Sequence, residues 1–143
     1  MSDGDADFKA LLSSLLGAMP FAPALGVEIV SATKGSVILE VPLSPALEAP
    51  PGSFAASSVG VLGDMAAMLA VTSAMPAGNA MSTLDFTIKM LGKSVGTRLR
   101  AIGEAKQIGK TTCVGASEIM VKQNGDWVAC GTLLATGRRI SFA

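Results

Sequence analysis

Asp64 is the only charged residue between Ala49 and Leu84. The chain has no histidine, so every mechanism that needs imidazole is excluded: Ser-His-Asp and Cys-His nucleophile systems, His-ligated zinc and a His general base. Cys113 and Cys130 lie far apart, in neither a metal nor a redox spacing, and read as small buried hydrophobes. The acid/base chemistry left to this sequence is mostly that of carboxylates. A lone carboxylate in an apolar run is costly unless it is hydrogen-bonded or used. Asp64 is therefore the first candidate for a general base or a nucleophile.

The element that carries Asp64 reads as a helix over 57–75. It is apolar or small on every side, so it has no solvent face and must be wrapped by the rest of the fold. Leu62, Met65, Met68 and Leu69 give it bulk. Gly60, Gly63, Ala66, Ala67 and Ala70 let other backbones come close. Pro76 stops it, with Gly78 and Asn79 as turn residues.

Before this helix, Asp7 reads as the cap of a short helix reaching about Met19. Phe8, Leu11, Leu12 and Leu15 form one apolar face, and Pro20 and Pro23 end it. Val27 to Lys34 and Val37 to Val41 read as a hairpin turning at Lys34-Gly35. A proline-rich loop, Leu43 to Gly52, leads to the central helix. Four strands follow it. In the first, Leu84, Phe86, Ile88 and Met90 alternate with Thr83, Asp85, Thr87 and Lys89, so the two sets face opposite ways. The others are Thr97 to Gln107, Thr111 to Gln123 with Asn124-Gly125 as a hairpin turn, and Trp127 to Thr136. The expected architecture is α+β: a meandering antiparallel sheet wrapped around one long central α-helix.

The 143 residues read as one domain, with 1–24 as an N-terminal helical extension. Formal net charge is zero and Trp127 is the only tryptophan, which gives no electrostatic or stacking case for nucleic acid or for an anionic membrane. Asp64, the interrupting glycines and the amphipathic strands argue against a membrane span. The acidic start (Asp3, Asp5, Asp7) is not a secretory pattern, so a cytoplasmic protein is the expectation. Gly109-Lys110-Thr111 is not a phosphate loop, because Glu104 stands where its first glycine belongs.

Element order and the Asp64 helix resemble the hotdog-fold acyl-CoA thioesterases, particularly the phenylacetyl-CoA thioesterase type, from about Leu25 to Arg139. Members of that family enter the central helix through Asn-Pro-x-Gly-x-x-His-Gly-Gly, with an Asp nine residues after the His. Here the run is Ala49-Pro50-Pro51-Gly52-Ser53-Phe54-Ala55-Ala56-Ser57, and Pro50, Gly52 and Asp64 match. Ala49 holds the Asn position, Ala55 the His position, and Ala56 and Ser57 the paired glycines.

The resemblance implies hydrolysis of a small or aromatic acyl-CoA to free acid and CoA, with no cofactor and no metal. It makes Asp64 the base or nucleophile, the Ala56 amide the donor that polarises the carbonyl, and Thr83 the residue that holds water. Ala55, Ser57, Ser82 (the fallback for Thr83) and Met68 would lie around the substrate. Lys106 and Lys110, with Arg138 and Arg139, are the cations that could meet CoA phosphates. Ala56 and Asp64 are eight residues apart, roughly 12 Å along one helix, and cannot touch one carbonyl. A two-fold dimer with antiparallel central helices would bring them opposite one another. The family is built of such dimers, often paired again into tetramers. A second reading, motivated by Ala49 and Ala55, is a non-catalytic acyl-CoA binder.

Overall fold

The structure, a computed structural model, describes residues 3–142. In chain order the elements are α1 (Asp3–Gly17), α2 (Phe21–Leu25), β1 (Glu28–Thr33), β2 (Ser36–Pro42), α3 (Ala56–Ala74), β3 (Asn79–Met90), β4 (Arg98–Ile108), β5 (Thr112–Gln123) and β6 (Asp126–Ser141). The six strands form one antiparallel sheet in the order β1-β2-β4-β5-β6-β3, and α3 packs across its inner face.

Only part of the sheet is a meander. β4, β5 and β6 follow one another, but β3 crosses to the far edge beside β6. The chain leaves β2, runs along α3 and joins the sheet at its opposite side. α3 therefore spans the sheet, and the strand that follows Asp64 in sequence becomes an edge.

Two details of the N-terminal region differ from the sequence expectation. α1 is described from Asp3 onward, so Asp7 lies inside the helix rather than capping it. Pro20 and Pro23 do not end one helix but build a second. Pro20 is the N-cap of α2 and Pro23 sits in its first turn, where a missing N–H costs nothing. Leu12 and Leu16 enter the core, while Leu11 stays 45% exposed.

α3 takes its boundaries from local chemistry. Ala55 is extended (φ −60°, ψ 148°) and opens the helix without a side-chain cap. Met75 precedes Pro76, which pushes it out of helical geometry (φ −83°, ψ 158°). Hydroxyls tie the helix to the sheet at several levels. Ser117 Oγ donates to the Gly63 carbonyl at 2.8 Å, Thr72 Oγ1 accepts from the Met81 amide at 3.1 Å, and Ser73 Oγ accepts from the Gly35 amide at 2.8 Å. Among the described residues, no buried side-chain nitrogen or oxygen lacks a partner. α3 is also the one described helix long and apolar enough to cross a membrane, and 72% of its apolar window is buried inside the fold.

The closest backbone approach comes from glycines on the strands. A Cβ on Gly103 would overlap the Ala66 carbonyl, and one on Gly115 would stand 2.8 Å from the Ala67 oxygen. The small residues of α3 are thus matched by small residues beneath them, and helix and sheet backbones touch. The helix glycines play a lesser part: a Cβ on Gly63 would meet side chains of Ile119, Ser117 and Leu133 at 3.0–3.1 Å.

α3 is not closed on every side. Ser57 is exposed, and Val61, Asp64 and Met68 are partly exposed. Their spacing of four, three and four residues draws one narrow open stripe along the helix. No strand covers it because β3, the nearest edge, ends the sheet there.

The alternation read for β3 is also broken. Thr83 pairs with Gly137 and Asp85 with Thr136, so Leu84 is an extra residue in a β-bulge. The bulge resets the pleat. Thr83 shares the helix-facing side with Met81, Phe86 and Ile88, while Leu84 is 61% exposed. β6 runs five residues beyond the expected end at Thr136, because Gly137 to Ser141 pair with the first half of β3.

Candidate active site

Asp64 sits near the middle of α3, on the open stripe. Thr83, projected toward the helix by the bulge, donates from Oγ1 to Asp64 Oδ1 at 2.8 Å. Burial pushes the Asp64 pKa above its usual carboxylate value, and the Thr83 hydrogen bond pulls part of that back. A part-buried carboxylate with one oxygen held and a raised pKa is a stronger base than a free one.

The loop before α3 is pinned from several sides. The Ala55 amide and Ser58 Oγ both donate to the Leu47 carbonyl, at 2.9 and 2.8 Å. Phe54 and Ser94 exchange two bonds, Phe54 N to Ser94 O at 2.9 Å and Ser94 Oγ to Phe54 O at 2.7 Å. Glu48 Oε2 accepts from the Gly52 amide at 2.9 Å. The first helical amides, Ala56 and Ser57, have no acceptor among the described residues, and both residues are exposed. Two free N–H groups at the positive end of a 19-residue helix suit a developing oxyanion.

Sequence reading missed Ser58 and Ser94, which fix these amides in place. Both are small polar residues whose partners are backbone carbonyls distant in the chain, and that pairing leaves no mark in local spacing.

The remaining candidates fall at different places. Ala55 is the half-buried N-cap, and Met68 lies one turn beyond Asp64 on the same stripe. Ser82 is exposed on the opposite face of β3 from Thr83. Lys106 bridges Glu104 at 2.9 Å on the outer face of the sheet, with the sheet between it and Asp64. Lys110 is exposed in the β4–β5 turn, and Arg138 is exposed on β6. Arg139 Nε donates to Asn79 Oδ1 at 3.0 Å. Within one chain, then, the fold brings Asp64 and Thr83 together and leaves Ser82 and Lys106 apart from them.

Cys113 and Cys130 are buried and unbridged. Burial pushes both thiols up, Cys130 to about 11, which keeps them protonated and poor nucleophiles. Among the described residues, no group of three or more His, Cys, Asp or Glu side chains could hold a metal ion.

The strand order and the helix that spans the sheet define a class: the chain has the hotdog fold of the thioesterase superfamily. A thioesterase family protein from Silicibacter pomeroyi superposes with a TM-score of 0.88 at 25% identity, over 94% of this chain and 98% of that one. The E. coli PaaI protein from the phenylacetic acid degradation operon matches with a TM-score of 0.77 at 22% identity, over 95% and 98%. A thioesterase from Haemophilus influenzae matches with a TM-score of 0.78 at 18% identity, over 92% and 91%. No family model and no curated protein matches the chain.

Proposed function

We propose that this protein is an acyl-CoA thioesterase that works as a two-fold dimer on a short or aromatic acyl group. The observation that carries the reading is the Asp64–Thr83 pair on the open stripe of α3, on a helix whose first amides are free. The structural likeness to thioesterases supports the reaction class.

The dimer follows from the same elements. β3 is a 12-residue edge strand with Leu84, Phe86 and Met90 all at least 39% exposed. An edge that long and apolar calls for a partner strand. Antiparallel pairing of β3 with a second copy lays the two α3 helices side by side in opposite directions. Each Asp64 then faces the partner's Ala56, which resolves the separation of roughly 12 Å along one helix.

In each site the thioester carbonyl oxygen accepts from the partner's Ala56 amide. Asp64 takes a proton from water while the water oxygen adds to the carbonyl carbon, with Thr83 holding the carboxylate in place. Collapse of the tetrahedral intermediate breaks the C–S bond. The CoA thiolate leaves and takes up the proton, and the acid is released. Direct attack by Asp64 on the carbonyl carbon gives the same products through an anhydride that water then opens.

One observation favours a different reading. Ala55 brings no polar side chain to the helix start, so carbonyl activation falls to backbone amides alone, as in a pocket that binds acyl-CoA without cleaving it. The test is free-thiol release from short, medium and aromatic acyl-CoAs with wild type and Asp64→Asn. Turnover that collapses in the variant, with fold and oligomer intact, is expected. Turnover untouched by the substitution removes Asp64 from the mechanism. Thermal stabilisation by one acyl-CoA without thiol release favours the binder.

A further inference from the structure

Gly60 lies four residues before Asp64 and four after Ala56, midway between the carboxylate and the amide donors of its own helix. It is buried, beside the open stripe rather than on it, and has no side chain. The ring of Phe86 takes that place: a Cβ on Gly60 would stand 3.3 Å from Phe86 Cε2 and 3.7 Å from Cζ. Phe86 is the next helix-facing side chain after Thr83 along β3, with the bulge between them. It is nevertheless 42% exposed, whereas Leu133, which faces the same helix from β6, is 3% exposed. An aromatic ring set against the helix backbone one turn before Asp64, on the edge strand that the proposed dimer pairs, is placed at the seam where the acyl group would enter.

We infer that Phe86 is the specificity-determining residue of this site, the wall on which the acyl group ends. The inference rests on the thioesterase reading above. In the antiparallel dimer the two-fold axis passes close to Gly60, because Ala56 and Asp64 exchange places across it. The CoA arm must run outward to solvent, so the acyl group points inward, toward the axis. There it meets the Phe86 ring after roughly half the 12 Å that separates the two sites. Short and aromatic acyl groups fit that depth, and the latter stack on the ring or meet it edge-on. A long acyl chain would have to displace the ring.

The test compares kcat/KM for butyryl-, phenylacetyl- and decanoyl-CoA in wild type, Phe86→Ala and Phe86→Leu. Affinities of the matching non-hydrolysable thioether analogues and sedimentation of each variant are measured alongside. The decanoyl-to-butyryl ratio should rise at least tenfold in Phe86→Ala and less in Phe86→Leu, and phenylacetyl-CoA should lose most. A ratio unchanged within twofold overturns the assignment. If Phe86→Ala leaves the dimer, Phe86→Leu, which keeps an apolar edge, decides by the same ratio. Wild type that binds the thioethers but releases no thiol defeats the thioesterase reading, while the affinity ratio still decides the role of Phe86. Wild type that neither cleaves nor binds any of them overturns both.

Discussion

Thr83 Oγ1 lies 2.8 Å from Asp64 Oδ1 because Leu84 is an extra residue in β3. Without the bulge, strict alternation from Phe86 and Ile88 back along the strand would turn Thr83 to the outer face. The bulge lets the edge strand keep its apolar side on the helix and still present one hydroxyl there. Bulges recur where a strand must re-aim a side chain next to a functional site.

That hydroxyl should be visible in the pH profile. Asp64 must be ionised to take a proton, so kcat/KM falls as pH drops through its pKa. Burial raises that pKa and the Thr83 bond lowers it. Thr83→Val removes only the lowering influence, so the acid limb should move to higher pH, with activity near neutrality down about tenfold. Thr83→Ser should keep the limb in place. A limb that stays put in Thr83→Val would show that the hydroxyl does not hold the carboxylate.

The same carboxylate should cost stability. Its pKa is higher in the folded state than in the unfolded chain, so the folded state holds its proton more tightly. Stability then falls as pH rises from the unfolded value, about 3.9, through the folded one. Above that window wild type carries the full cost of a half-buried charge, and below it none. Asp64→Asn keeps an acceptor for Thr83 and removes the charge. It should melt higher than wild type at neutral pH, and the gap should close on acidification. Equal melting temperatures at neutral pH would mean that Asp64 is better solvated than its surroundings indicate.

The parts of the fold that depend on local pattern were legible in the sequence. Pro76 marks the end of α3, and Asn124 and Gly125 both take positive φ, 49° and 87°, as a two-residue hairpin turn requires. Asp64 stood out as the one charge in its run. What escaped depends on pairing between distant residues. The far-edge position of β3 is set by which strands meet. The bulge at Leu84 is visible only against Gly137 and Thr136. The open stripe through Val61, Asp64 and Met68 exists because no strand lies beyond β3, and composition alone read that helix as closed all round.

Close contact between α3 and the sheet makes a single methyl group expensive. A Cβ at Gly103 has the Ala66 carbonyl in its way, and neither backbone can yield without moving the helix. Gly103→Ala should destabilise the fold by about 3 kcal/mol or lower its yield of folded protein. Gly17, with nothing within 4 Å of its Cβ position, serves as control. Denaturant midpoints compare the two; a tolerated Gly103→Ala would mean that the helix lifts off β4 at small cost.

The uncapped start of α3 sets stability against activity. Ala55 has N-cap backbone geometry without a capping side chain. Ala55→Asp should add about 0.5–2 kcal/mol by accepting from the Ser57 or Ser58 amide. It would also put a negative charge where an oxyanion must form, so thiol release should fall while the melting temperature rises. A variant that gains stability and loses no activity would move the oxyanion donors away from this helix end.

A site shared between subunits can be divided between two inactive chains. Ala56→Pro deletes the proposed donor with little strain: proline is favoured at the first helical position, and Ala55 already has the extended geometry that a residue before proline adopts. Asp64→Asn deletes the base. Each homodimer should be inactive, because each of its two sites lacks one group. In a mixed dimer, one site combines Ala56 of the Asp64→Asn chain with Asp64 of the Ala56→Pro chain and is intact, while the other lacks both. Random exchange makes half the dimers mixed, so equal mixing should restore about a quarter of wild-type thiol release. A site built within one chain would give no recovery at any mixing ratio. Recovery near a quarter, reached at the rate at which subunits exchange, would place the amide and the carboxylate on opposite chains.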